Sequence, residues 1–117
     1  MLRLLLATRN SWNGLLAATR SEEAFRQEIY ALIIAVPAAF LVATDAWRWV
    51  ALVSVIVLLM VVELLNTAVE KLSDHVTPEN HPAIGRIKDM GSAAVGLMLL
   101  LAGLVWLVAL AERLGLL

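Results

Sequence analysis

Three long apolar stretches, separated by short polar clusters, predict helices that cross a membrane. Residues 29–44 form an uncharged run of 16, near the lower limit for spanning a hydrocarbon core, and the run lengthens if Ala24 and Phe25 are included. Pro37 lies inside this first span, 24–44, and removes one helical hydrogen bond, so a local kink is expected there. A second run begins near Trp49 and continues past Glu63 through Leu64, Leu65, Ala68 and Val69. It predicts a helix over 47–71 that emerges near Lys71 to Asp74. The third run, 90–111, has 22 residues without a charge, long enough at about 1.5 Å per residue to cross a core of roughly 30 Å.

The polar clusters between these runs read as connections. Thr44, Asp45 and Ala46 mark a very short turn, with Asp45 as N-cap of the second span and Trp47 and Trp49 suited to the membrane interface. Residues 75–85 hold two prolines, two histidines, Glu79 and Asn80, a polar connection in which Thr77 and Pro78 are expected to cap a brief turn. The third span opens with Gly91, Ser92, Ala93, Ala94 and Gly96, small residues that let helix backbones approach closely. At the other end of the chain, Leu2, Leu5, Leu6, Trp12, Leu15 and Leu16 alternate with polar positions over 1–20 and predict one or two turns of helix lying along the interface. No small-residue cleavage site marks these residues as a removed leader. Thr19 and Glu22 have capping-box spacing before the first span.

Composition sharpens this picture. The 117 residues make one domain, 62% hydrophobic and 16% charged, against roughly 45–50% apolar in soluble domains. Net charge is −1, and without a basic tract a nucleic-acid partner is excluded. The absence of cysteine removes disulfides and thiolate metal sites. Three spans put Arg3, Arg9, Arg20, Arg26, Lys71, Arg86 and Lys88 on one side and Arg48 and Arg113 on the other, seven basic residues against two. The positive-inside rule then places the N-terminus in the cytoplasm, where ATP is available.

Glu63, Asn66, Glu70 and Asp74 are spaced by three, four and four, which returns them to one side of a helix. An acidic residue deep in a bilayer costs roughly 2.5–3.5 kcal/mol on insertion scales, so an aligned set points to a functional site. Oxygen-rich clusters are what hard cations such as magnesium require. A protonated Glu63 bonded to a neighbouring helix is the competing structural role, and it leaves the alignment of the others unexplained. By sequence alone Glu22 and Glu23 are favoured as helix-capping acids, and Arg26, Gln27, Glu28, Lys88 and Asp89 as interfacial residues. No GxxxxGK[ST] loop, GxGxxG turn or kinase catalytic-loop signature is present. A carboxylate cluster able to bind a divalent cation emerges from the residues; the reaction does not.

EEAFRQE (22–28), VVELLNTAVEKLSD (61–74) and GRIKDMGSAAV (85–95), with SWNGL (11–15), resemble the bacterial integral-membrane diacylglycerol kinase family of Gram-negative type over essentially the whole chain. The resemblance implies an α-helical homotrimer in the inner membrane, three spans per subunit with sites shared between neighbours. It also implies an ATP-dependent kinase converting diacylglycerol to phosphatidic acid. Glu63 would be the general base, supported by Asn66, with Glu22 and Glu70 as ligands of the magnesium that accompanies ATP. Nucleotide contacts are implied for Ser11, Asp74, Lys88 and Asp89, and further for Arg3, His81 and Arg86. Gln27 and Glu28 would act on the lipid side with Glu63. Two alternatives stay open: an undecaprenol kinase of the same fold, favoured less by FRQE and DMGSAAV, and a proton- or cation-conducting oligomer lined by Glu63, Glu70 and Asp74.

Overall fold

The computed structural model describes residues 1–77 and 79–117. Among them the chain forms four α-helices: α1 (Leu2–Ser21), α2 (Glu23–Val42), α3 (Ala46–Val76) and α4 (Pro82–Arg113). Helices α2, α3 and α4 are each long and apolar enough to cross a membrane. The expected turn at Thr77 and Pro78 lies partly outside the described residues, so its form is not assigned.

The helices run further than the apolar windows predict. Residues 82–85, expected in the polar connection, and 86–89, just ahead of the expected third span, form the first turns of α4. Pro82 occupies the first turn, where its fixed φ suits a helix and its missing N–H costs nothing, and His81 Nδ1 accepts a hydrogen bond from Ala83 N at 3.1 Å. Polar side chains therefore lie on helices that reach beyond the hydrocarbon core. Likewise α1 is one continuous helix, not one or two turns. Thr19 is not an N-cap: it sits inside α1, its hydroxyl donating to Leu15 O at 2.7 Å, and Glu22 caps α2 without a side-chain bond. Arg26 closes the α1–α2 corner by donating from Nη1 to the carbonyls of Thr19 and Arg20, at 3.0 and 3.1 Å, which the end of α1 leaves without helical partners.

Packing follows small-into-large contacts. Leu52 of α3 is 0% exposed, seated against Ala39 of α2 and Ala109 of α4, and Val55 and Leu59 meet Met98 and Ala102 of α4 one to two turns along. Two indoles tie neighbouring helices through carbonyls: Trp49 Nε1 donates to Val36 O at 3.3 Å, and Trp106 Nε1 to Leu52 O at 3.1 Å. The first of these bonds lies beside Pro37, which α2 carries inside its length. Trp49 thus packs inward, against Phe40 with ring centroids 5.0 Å apart, whereas Trp47 is 81% exposed.

Polar pairs identify which helix ends lie together. At one end Asp45 accepts from Arg48 N at 2.8 Å as the N-cap of α3, as its sequence position predicts. The Arg48 guanidinium there bonds Asp45 at 2.7 Å and forks onto Glu112 of α4 at 2.7 and 2.9 Å. The Arg48 backbone N–H, aided by the guanidinium, holds the Asp45 carboxyl below the usual carboxylate range. At the opposite end Lys71 reaches the α1–α2 corner, and Lys88 meets Asp74. Seven of the nine basic residues belong to elements gathered at that second end. The total exposed surface is 8454 Å², against about 6,200 Å² for a compact soluble monomer of this mass, and it includes large apolar side chains on every spanning helix, such as Ile34, Leu58 and Leu100.

Candidate functional site

Helix α3 builds the site. Its 3.6-residue period sets Glu63, Asn66, Glu70 and Asp74 along one stripe, and the hydrogen bond from Asn66 Nδ2 to Glu70 Oε1 at 3.3 Å joins the middle pair across one turn. Glu63, Asn66 and Glu70 are half-buried, whereas Asp74 is exposed at the helix end. Glu63 and Glu70 are seven positions apart, about 10 Å of helical rise.

Other helices bring further acids to this stripe. Glu22, at the α1–α2 corner, and Glu70 lie within Coulombic range of Glu63, and Glu63 in turn of Glu28 on α2. Glu28 Oε2 is enclosed without a hydrogen-bond partner among the described residues. Lys71 Nζ approaches Glu22 Oε1 at 3.6 Å and donates to Ser21 Oγ at 2.9 Å. In the sequence Lys71 is a basic residue one position after Glu70; its partner Glu22, 49 residues earlier, is brought to it by the fold.

Among the described residues no three acidic or imidazole groups converge into a closed metal centre. Magnesium rarely uses such a cage: it is commonly held by one or two carboxylates and completed by substrate phosphates and water. Glu22 and Glu70 are both half-buried carboxylates, the ligand type such an open site uses.

The residues implied as nucleotide contacts fall into separate places. Lys88 Nζ pairs with Asp74 Oδ1 at 2.5 Å, and Lys88 and His81 both line a cavity of about 370 Å³ beside the α3–α4 connection. Ser11 lines a different cleft, of about 490 Å³, between α1 and α3, together with Thr67 and Lys71. Arg3, Arg86 and Asp89 are exposed, as is Gln27 on α2. A single chain therefore brings together Glu22, Glu28, Glu63, Asn66 and Glu70, and separately Asp74, His81 and Lys88.

Residues 9–110 match the family described as prokaryotic diacylglycerol kinase. The chain belongs to this family. It is 42% identical to the diacylglycerol kinase of Escherichia coli K12 over 113 residues, covering 97% of this chain and 93% of that protein. The corresponding protein of Pseudomonas aeruginosa is 40% identical over 104 residues, 89% of this chain and 85% of its own length. That of Helicobacter pylori 26695 is 36% identical over 104 residues, 89% and 81%. Thr67 and Ser73 of α3 are buried.

Proposed function

We propose that this protein is an ATP-dependent kinase that phosphorylates diacylglycerol to phosphatidic acid at the bacterial inner membrane, with the α3 stripe as its reaction centre. Membership of the diacylglycerol kinase family over residues 9–110 carries the reading. Glu63 takes the proton of the lipid hydroxyl as that oxygen attacks the γ-phosphorus of ATP, and ADP leaves. Phosphoryl transfer asks mainly for alignment and charge stabilisation, and a hydroxyl nucleophile needs a base within hydrogen-bond reach. Magnesium, when bound with ATP, supplies positive charge to the phosphate oxygens. Glu22 and Glu70 hold it, Asn66 orients Glu70 through the 3.3 Å bond, and Glu28 and Gln27 face the lipid. Ser11, Asp74, Lys88 and Asp89 contact the nucleotide, with Arg3, His81 and Arg86 around them.

The site faces the cytoplasm in this reading, since its end of the helix bundle carries the excess of basic residues. Helix α1 lies along the interface, its exposed Leu2, Leu5, Leu6 and Trp12 entering the headgroup boundary and its arginines remaining in water. Three copies assemble as a homotrimer, covering apolar faces such as the groove of about 510 Å³ between α2, α3 and α4. Crosslinking in a bilayer tests this assembly, and an active monomer would contradict it. Transfer of labelled γ-phosphate to diacylglycerol by purified protein in mixed micelles, with undecaprenol in parallel, tests the activity. Phosphatidic acid is the expected product; preferential labelling of undecaprenol would assign the other lipid.

A further inference from the structure

We propose that Gly91 of α4 is a positioning residue for phosphoryl transfer: its missing side chain lets the Asn66 amide lie against α4 and aim at Glu70. The proposal rests on the reading of Asn66 and Glu70 given above. Asn66 Nδ2 donates to Glu70 Oε1 at 3.3 Å, while its Oδ1 is enclosed with no hydrogen-bond partner among the described residues. The orientation is fixed, because exchanging oxygen and nitrogen would set the amide oxygen against a carboxylate, two acceptors face to face. Oδ1 is thereby directed at Gly91. A Cβ on Gly91 would overlap Asn66 Oδ1 and stand 3.2 Å from Cγ, yet only 3.9 Å, an ordinary contact, from Asn66 Cβ.

Conformation does not call for this glycine. The glycine with a positive φ is Gly115, at 76°, and Gly91 has ordinary helical backbone. At Gly96 and Gly103 of the same helix an added Cβ meets nothing within 4 Å. A helix interior ordinarily gains from alanine in place of glycine, so the steric relation to Asn66 sets Gly91 apart. Alanine at 91 would push the amide off its place, since the overlapping atom is the far end of the Asn66 side chain and yields more readily than backbone, and turning that amide takes it from its bond to Glu70. The consequence is a misplaced metal-side carboxylate with the lipid side intact, hence a lower kcat and weaker cation binding at an unchanged lipid KM.

The test compares Gly91→Ala, Gly96→Ala, Asn66→Ala and the Asn66→Ala/Gly91→Ala pair as full-length protein in mixed micelles. Each is measured for lipid phosphorylation, for thermal unfolding, and for Mn²⁺ binding with a non-hydrolysable ATP analogue by electron paramagnetic resonance. Gly91→Ala is expected to lose about ten- to a hundred-fold in kcat, with weaker Mn²⁺ binding and lipid KM unchanged, while Gly96→Ala matches the parent. In the Asn66→Ala background the same change should raise the unfolding temperature and leave Mn²⁺ binding where Asn66→Ala alone put it. If Gly91→Ala fails to fold, recovery of folding in the pair supports the Asn66 contact as the cause, and a pair that is equally unfolded overturns it. Parent-like kcat and Mn²⁺ binding in Gly91→Ala, with Asn66→Ala inactive, overturn the role of Gly91 alone. Parent-like turnover in Asn66→Ala would instead remove the underlying reading of the site.

Discussion

Replacing Glu63 with glutamine separates a catalytic carboxylate from a structural one. The amide keeps the shape of the side chain but cannot take the proton of a lipid hydroxyl. Loss of a general base typically lowers turnover by roughly 10²–10⁴, which at about 1.36 kcal/mol per decade raises the barrier by about 2.7–5.4 kcal/mol. Stability should move the other way. A neutral amide removes the cost of a carboxylate at membrane depth. Glu63→Gln should therefore unfold at the same or a higher temperature than the parent, with lipid and nucleotide binding kept. Thermal unfolding and transfer of labelled phosphate to lipid are measured on one preparation. A variant that unfolds earlier but turns over normally per folded molecule would refute the assignment of Glu63 as base.

Three further outcomes follow from the contacts described. Glu22→Gln and Glu70→Gln should each raise the magnesium concentration needed for half-maximal activity while keeping the fold, because an amide supplies oxygen without the charge that holds a divalent ion; a parent-like magnesium titration of Glu22→Gln would return Glu22 to a capping role. Leu52, 0% exposed between α2 and α4, should cost about 2–5 kcal/mol when truncated to alanine, read by denaturation in micelles, and a loss below about 1 kcal/mol would mean that the helices close over the gap. Asp45 is held below the usual carboxylate range by the folded state, so its stabilising contribution is present above its unfolded value of about 3.9 and disappears as pH falls through the lower folded value. Asp45→Asn keeps an N-cap acceptor but cannot titrate, and its melting temperature should fall less steeply than the parent's on acidification below about pH 4; parallel curves would refute the linkage.

What the sequence made legible was whatever repeats within one helix. The Glu63, Asn66, Glu70 and Asp74 stripe follows from helical spacing, and the Asn66–Glu70 bond is the i,i+4 neighbour that spacing predicts. Asp45 announced itself as a cap through its place before an apolar run. The α1–α2 corner was harder, because Thr19 and Glu22 satisfy a capping-box pattern while the chain continues α1 through Thr19 and lets Arg26 cover the exposed carbonyls. Local spacing could not choose between these: a capping box would satisfy orphaned N–H donors at a helix start, whereas Arg26 satisfies orphaned carbonyls at the end of α1, and that requires the fold of the corner.

Contacts between helices left no periodic trace. Lys71 with Glu22 and Lys88 with Asp74 join positions whose separations carry no helical meaning. The small residues from Gly91 to Gly96 illustrate the same boundary: composition groups them as one surface for close approach, yet Gly91 touches Asn66 and Gly96 faces open space within the chain. That division has a physical consequence for assembly. A helix can use one small residue to admit a neighbour's amide only on the face turned toward that neighbour, so the face carrying Gly96 remains available to lipid or to a second copy. If three copies assemble as proposed, a bulky substitution at Gly96 would weaken their association without moving Asn66, whereas one at Gly91 would disturb Asn66 and Glu70 before it reached any subunit boundary.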